Sequence, residues 1–408
     1  MKEFLNLLRG ARTWALVVGI AVLGGLTLVA CGSSSSSSDT GNSGGESTTA
    51  AGEEGSGGEE SDSSAVVAAA TEELEKALIG PTEWEGPTEA VKPPKDFKVA
   101  ILACDMKSYG CRAPAEGSQH AAEALGWESK IFNGESDPNV YAKRIEEAIA
   151  EGADGIITES VDGRSVADAL AHAKQAGIPV ISTSNAAAPG EQNYEVDISP
   201  NFLQFGKDIA AWVISDSNGE GVLAIYRDPE FQSTVSAVEG ILEGMEPCTT
   251  CTVNEPINFV AADVAERLAP ETVAMLRANP DVDYIHLSYD PAAALTVPAI
   301  LEAGLGEGLQ GSSTIGDELN LGFIREGKVQ AADAVWSNEY QGYASIDQLI
   351  RLATGKEPWV SDNQPERFQL NENLPSVLIT KENVPPEGEI YEPPFDYKSE
   401  YEKIWGLK

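Results

Sequence analysis

The 408-residue chain predicts an α/β protein made of two doubly wound parallel-sheet lobes joined by a hinge. Three observations carry that prediction. From residue 97 onward, short β-branched apolar runs alternate with segments of helical composition. The alternation comes in two series, with a break near Asp197-Ile198-Ser199. About 340 residues follow the low-complexity N-terminal part, enough for two lobes of ordinary domain size.

Phe97 to Cys104 (FKVAILAC) is a short apolar run rich in β-branched residues, the pattern of a strand buried on both faces. A loop follows, then a helix from Glu116 to Leu125, with Gly126 as its C-cap. The cycle repeats as strand Glu128 to Phe132, helix Pro138 to Glu151 and strand Gly155 to Thr158. Helix Gly163 to Gln175 and strand Pro179 to Ser182 close the first series. Strands separated by helices make a parallel sheet with right-handed crossovers. The second series opens with helix Asn201 to Ser215, strand Gly221 to Tyr226 and helix Thr234 to Met245. It continues with strand Thr252 to Ile257, helix Asp263 to Asn279, strand Tyr284 to Ser288, helix Pro291 to Ala303 and strand Ser313 to Gly316. Two such units in one chain leave a cleft between them.

The N-terminal part is organised differently. Lys2, Arg9 and Arg12 precede an apolar run from Trp14 to Val29, and Leu28-Val29-Ala30-Cys31 leads into Gly32 and six serines. A basic head, a short apolar stretch and small residues before a cut site describe a secretory signal. The alternative is an uncleaved anchor, since the run is near the lower limit for spanning a bilayer. Residues 32–64 are nearly all Gly, Ser, Thr, Asp and Glu and cannot bury enough apolar surface to fold. As a flexible tether they would reach roughly 30 Å. Residues 65–95 read as a helix to Ile79 followed by a proline-stiffened connector. The expected N-terminal lobe is 96–198 plus 338–366, and the C-terminal lobe is 199–337 plus 367–380. Crossings are expected near Ile198-Ser199, Trp336-Ser337-Asn338 and Arg367-Phe368-Gln369, with a tail over 381–408.

Apart from Cys31, the cysteines fall into two local pairs, Cys104 with Cys111 and Cys248 with Cys251. In an exported protein, two local disulfides are the simplest connectivity. Metal binding is the rival reading of Cys248-Thr-Thr-Cys251, but a second knuckle is missing and no histidine stands at partner spacing. No metal and no cofactor are expected. The net charge of −38 argues against nucleic acid and against anionic lipid surfaces, both of which need a basic footprint.

Several stretches together resemble the type I periplasmic binding proteins, in the ribose- and simple-sugar-binding branch that serves ABC importers. They are FKVAILAC, Ile156 to Thr158, AGIPVIST (Ala176 to Thr183), NPDVDYIHLSYD (Asn279 to Asp290) and IREGKVQAADAV (Ile324 to Val335), in that order. The likeness covers roughly residues 95 to 380. DNA-binding repressors share the lobes but carry a helix-turn-helix where this chain has a signal and a tether. The segment around Cys31 likewise resembles a bacterial lipobox, which implies a lipidated Cys31 and a protein held on the extracytoplasmic face of the membrane. The resemblance implies a substrate-binding protein, expected as a monomer, that closes on a small polar ligand and docks on importer membrane subunits. A sensory protein presenting a sugar-like or nucleoside ligand to a membrane receptor would look nearly the same. An enzyme is disfavoured, since neither a Gly-x-Ser-x-Gly elbow nor an HExxH helix appears.

Ligands of open α/β sheets bind beyond the carboxyl ends of the strands, so the following loops supply the candidates. The first is Asp105 to Gly110, with Asp105 and Tyr109, enclosed by Cys104 and Cys111. Ser184-Asn185 stand where the family places an Asp-Arg pair, a departure from its pattern. The second lobe offers Tyr226, Arg227, Tyr289, Asp290 and Glu318, with Trp336 at a crossing. By resemblance, Tyr289 falls where the family has a binding Asn, Glu318 near its Asp and Trp336 near its Gln. By the same resemblance the family's helix arginine falls near Val235, so that role is absent or moved to Arg227. Aromatic rings packing on C–H faces and polar groups reading hydroxyls suit a sugar. Packing alone would also account for the tyrosines, a hinge role for Trp336 and helix capping for Asp290.

Overall fold

A computed structural model describes residues 59–187, 193–362 and 370–408. Cys31, the apolar segment before it and the crossing expected at Arg367-Phe368-Gln369 lie outside the described residues.

The N-lobe is built on a five-stranded, fully parallel sheet of order β2-β1-β3-β4-β5. Its strands are β1 (Lys98–Ala103), β2 (Glu128–Asn133), β3 (Gly155–Glu159), β4 (Val180–Thr183) and β5 (Asp197–Ile198). Val99, Ala100, Ile101, Leu102 and Ala103 of β1 are all buried, as a central strand covered on both faces requires. The helices of this lobe are α2 (Tyr109–Ala124), α3 (Pro138–Ala150) and α4 (Ala167–Gln175). The chain returns to it late with α10 (Asn338–Ala353), which packs along α2. Those two helices approach most closely at Gly117 and Gly342, where a Cβ on Gly342 would meet the Gly117 backbone.

The C-lobe sheet runs β7-β6-β9-β10-β11-β12, parallel except for the antiparallel edge strand β12, with β8 also pairing β6. Its strands are β6 (Val222–Arg227), β7 (Thr252–Val253), β8 (Ile257–Asn258), β9 (Tyr284–His286), β10 (Gln310–Ile315), β11 (Gln330–Trp336) and β12 (Ser376–Thr380). Its helices are α5 (Phe202–Asp216), α6 (Gln232–Met245), α7 (Ala269–Ala278), α8 (Asp290–Glu302) and α9 (Glu318–Glu326). A 3-10 turn (Ala261–Asp263) and a π-helical turn (Val264–Leu268) lead into α7. Here α5 and α6 are the tightly packed pair, and Gly206 and Gly240 leave no room for a Cβ between them.

Several element boundaries differ from those the sequence predicts. The segment expected as one strand over Thr252 to Ile257 is two short pieces, because Pro256 has no N–H to give a continuous ladder. Helix α2 begins at Tyr109 rather than Glu116, and α4 at Ala167 rather than Gly163. Before α4, Asp162 holds a turn instead, accepting from the Arg164 backbone N–H at 2.8 Å and the Ser165 backbone N–H at 3.0 Å. The N-terminal helix, α1 (Glu59–Ile79), starts six residues inside the stretch expected to be unstructured. Its apolar Val66, Val67, Leu74 and Ala77 pack on the core, and the Thr71 hydroxyl meets that of Ser215 in α5 at 2.9 Å. Docking on the C-lobe therefore carries the helix beyond what its composition suggests.

The lobes are linked through Ile198 to Phe202 and through Ser337 between β11 and α10. The tail also runs from one lobe to the other. It leaves β12, passes the hinge where the Ser337 hydroxyl donates to Glu392 at 2.8 Å, and ends as α11 (Tyr397–Ile404) on α10. Cys104 is bonded to Cys111, and Cys248 to Cys251.

Candidate functional site

The carboxyl ends of both sheets face a cleft of about 560 Å³ between the lobes. In the N-lobe it lies where the strand order reverses between β1 and β3, the position at which open α/β sheets take ligands. The N-lobe wall is made by the loops after β1, β2, β3 and β4. They bring in Ser108, the Cys104–Cys111 bridge, Ser136, Ser160, Asp162, Ser165 and Ser184. The C-lobe wall carries Phe231, Val264, Tyr289, Leu295 and Ile315, and Trp336 lies at the crossing. Ile315 holds a φ of 124°, a region that β-branched residues rarely enter, so the end of β10 is a strained point on the cleft wall.

Of the ten residues singled out from the sequence, the structure brings Ser184, Tyr289 and Trp336 to the cleft. Trp336 packs on Phe205 and the edge of Phe202, and its indole N–H donates to Gln341 Oε1 at 2.9 Å. Gln341 in turn donates to Ser184 Oγ at 2.9 Å and to the Ile198 carbonyl at 2.7 Å. One buried amide thus ties both crossings to two cleft residues. The Tyr289 hydroxyl donates to Asp228 Oδ2 at 2.9 Å, and burial pushes the Asp228 carboxyl up to about 6.

The other seven do not line the cleft. Asp105 folds back on its own loop, accepting from the Lys107 backbone N–H at 2.9 Å and the Ser136 hydroxyl at 3.2 Å. Tyr109 opens α2 beside Arg112, whose guanidinium carbon lies 5.9 Å from the ring, and burial raises its phenol. Asn185 is buried and donates to the Val161 carbonyl at 3.1 Å. Tyr226 belongs to the C-lobe core against Phe259. Arg227 donates sideways to Asn258 Oδ1 at 2.9 Å, across the β6–β8 pair.

Asp290 is fully buried and does not cap its own helix, whose N-cap is Tyr289. It holds the turn after β10 instead, accepting from the Ser313 hydroxyl at 2.5 Å and from the Gly316 and Asp317 N–H groups at 2.9 and 2.6 Å. Glu318 faces the tail, paired with Arg325 and accepting from the Gly388 N–H at 2.9 Å. For Tyr226 and Arg227, at the end of β6, the reason is direction, since successive side chains of a strand point to opposite faces. Tyr109, Asp290 and Glu318 instead open α2, α8 and α9, and Asp105 and Asn185 are taken up by the hydrogen bonds of their own loops.

The cleft residues that sequence reasoning missed include Ser136, Ser160, Asp162 and Ser165. They sit in the loops after β2 and β3, which the strand-end rule covers as well as it covers the loops after β1 and β4. Gln341 and the 261–265 turn carried no comparable signal. The histidines lie apart from this site. His120 and His172 pair with Glu339 and Glu146, and His286 is buried against the Ser312 hydroxyl with its pKa pushed down to about 3 by burial. Among the described residues, no group of three or more His, Cys, Asp or Glu is placed to hold a metal.

Two parallel-sheet lobes with a hinged cleft at their strand ends define a type I solute-binding protein. Residues 99–357 match the periplasmic binding protein domain family, and the chain belongs to it. It is 22% identical over 267 residues to the D-apiose import binding protein of Actinobacillus succinogenes, covering 64% of this chain and 84% of that one. It is 24% identical over 261 residues to the ribose import binding protein of Escherichia coli, covering 62% and 84%. Among solved structures, the 5-methylthioribose transporter solute binding protein of Thermotoga lettingae superposes with a TM-score of 0.61 at 18% identity. That match covers 76% of this chain and all of the other, and it shows the shared fold.

Proposed function

We propose that this protein captures a sugar-type solute in the interlobe cleft and delivers it to an ABC importer, held at the outer face of the membrane by a lipid on Cys31. The observation that carries the reading is the cleft itself. It lies at the strand ends of both lobes, has the volume of a small-molecule site, and combines a cluster of hydroxyls with aromatic rings. Import of ribose and apiose by relatives of the same family supports the solute class.

A ligand that touches both walls favours the closed arrangement by its differential affinity, and closure is a rotation about the crossings. Ser184 and Trp336 are tied through Gln341, so the hinge and the cleft share residues. The basic head, apolar run and Cys31 support export and anchoring. The test is a thermal-shift screen without reductant against sugars, polyols, nucleosides and amino acids. A ligand at a hundred times its Kd adds about 2.7 kcal/mol to stability, which raises Tm visibly. A shift with a sugar or polyol is expected. Shifts confined to amino acids would overturn the sugar reading and keep the fold.

A further inference from the structure

We infer that the solute is a neutral glycoside, a sugar bearing an alkyl or aryl group, held with its hydroxyls on the N-lobe and its apolar group on the C-lobe. The inference rests on the proposed capture of a sugar-type solute in this cleft, and it comes from the contrast between the two walls.

On the N-lobe wall, Ser136 and Ser165 donate to Asp105 and to the Asp162 carbonyl, but other hydroxyls are not used up by the protein. Ser108 begins α2 without capping it, and among the described residues neither its hydroxyl nor that of Ser160 has a protein partner. Ser184 Oγ accepts from Gln341 and keeps its own proton to give. The C-lobe wall is the reverse. Its polar side chains are mostly engaged with their own lobe. Thr234 donates to the Phe231 carbonyl at 2.9 Å, Thr314 to the Ser288 carbonyl at 3.1 Å and Tyr289 to Asp228 at 2.9 Å. Glu230 accepts from the Ala261 N–H at 2.9 Å. What remains for a ligand is mostly carbon, from Phe231, Ala261, Val264, Ala265, Pro291 and Leu295, with the Ser233 hydroxyl and the second Glu230 carboxylate oxygen as the polar exceptions.

A free sugar pressed on that wall would leave most of its hydroxyls on that side without partners, and unpaired polar groups are costly once water is excluded. An apolar substituent satisfies the same surface. Charge narrows the class further. Among the described residues no lysine or arginine lines the cleft, and Arg164 beside it is paired with Asp162 at 2.6 Å, which disfavours an anion. The about 560 Å³ of the cleft accommodates a sugar and its substituent together.

The test is calorimetric titration of the full chain, disulfides intact, with phenyl and butyl β-glycosides of glucose, galactose and ribose, each beside its free sugar. At least one glycoside should bind about tenfold or more tightly than its parent, the discrimination an apolar pocket gives a well-placed carbon group. Leu295, 47% exposed, tolerates a polar replacement, and Leu295→Asn should bring that ratio below about threefold. Free sugars that bind as tightly as all their glycosides would overturn the inference and leave sugar capture standing. A glycoside preference untouched by both Leu295→Asn and Val264→Ser would overturn the assignment of the apolar group to this wall. If neither sugars nor glycosides bind, the inference and the sugar reading fall together.

Discussion

Asp290 and Asp333 are both fully buried, on α8 and β11 behind the wall that Tyr289, Pro291 and Thr314 present to the cleft. Burial raises both carboxyl pKa values, and their closeness raises that of Asp333 further. Asp290 at least accepts three hydrogen bonds, whereas neither Asp333 oxygen meets a donor at bonding distance. Glu159, buried under Thr183 and Ser118, is pushed up to about 8 by the same loss of water. In each case the folded state binds the proton more tightly than the unfolded chain. The stability these groups contribute is therefore complete below the ordinary carboxyl range near pH 4 and is lost as pH rises through the raised values. Urea midpoints should fall between pH 5 and pH 8, with a slope of about 1.4 kcal/mol per pH unit for each proton involved. Asp333→Asn should raise the midpoint at pH 8, barely change it at pH 5 and flatten the profile. An unchanged profile in that variant would show that Asp333 takes up no proton on folding. Residues of this kind were the least legible in the sequence. Asp290 announces itself as a polar residue at a strand end, and only its neighbours in space decide that it is a structural staple rather than a ligand contact.

At the scale of elements the sequence was far more informative, because strand and helix follow from local periodicity while side-chain direction does not. Strands β1, β2 and β3, the bounds of α3 and the return of α8 after β9 lie within a residue or two of their expected places. The larger misses have local causes: Pro256 divides a strand, Asp162 holds a turn before α4, and tertiary docking extends α1. The Cys104–Cys111 bridge is an element-scale device with a functional reading. It encloses the loop that carries Ser108 and forms part of the cleft wall, whereas Cys248–Cys251 holds a turn that does not line the cleft. Replacing both Cys104 and Cys111 by Ser should cost about 2–3 kcal/mol of stability through a freer unfolded loop. It should also weaken ligand binding, since a mobile Ser108 loop has to be ordered on closure. The Cys248 and Cys251 double replacement should lower Tm and leave Kd unchanged. Equal effects of the two pairs on Kd, measured by titration, would remove the functional role of the first bridge.

Over the whole molecule, the lobes are joined by more chain than the hinge alone provides. The segment after α1 leads from the C-lobe to the N-lobe, where Trp84 packs between Tyr340 of α10 and Tyr401 of the tail, with ring centroids at 5.7 and 4.9 Å. The tail makes the same journey and covers α10. Trp405 stacks on Tyr343 at 5.7 Å with the rings 4° from parallel, and its N–H donates to Asp347 at 2.8 Å. Asp347 also binds Arg351 at 2.7 Å, and the Tyr401 hydroxyl donates to buried Glu372 at 3.1 Å. The tail is thus the outer layer of the N-lobe core, and it supplies donors to two carboxylates that have little water. Trp405→Ala removes a large buried ring and one of those donors, so it should cost about 3–5 kcal/mol. Because α11 packs on α10, the loss falls first on the N-lobe, while the far side of the C-lobe has buried clusters of its own beside the one that runs from the N-lobe into α5, α6 and β6. Scanning calorimetry should show one cooperative transition for the intact chain. For Trp405→Ala, a lower N-lobe transition should separate from that of the C-lobe. A single transition at an unchanged temperature would show that the tail is an appendage. A single transition shifted downward would mean that the crossings couple the lobes so strongly that neither unfolds alone, and closure would then have to proceed by local rotation at Ser337 and Ser199 within one cooperative unit.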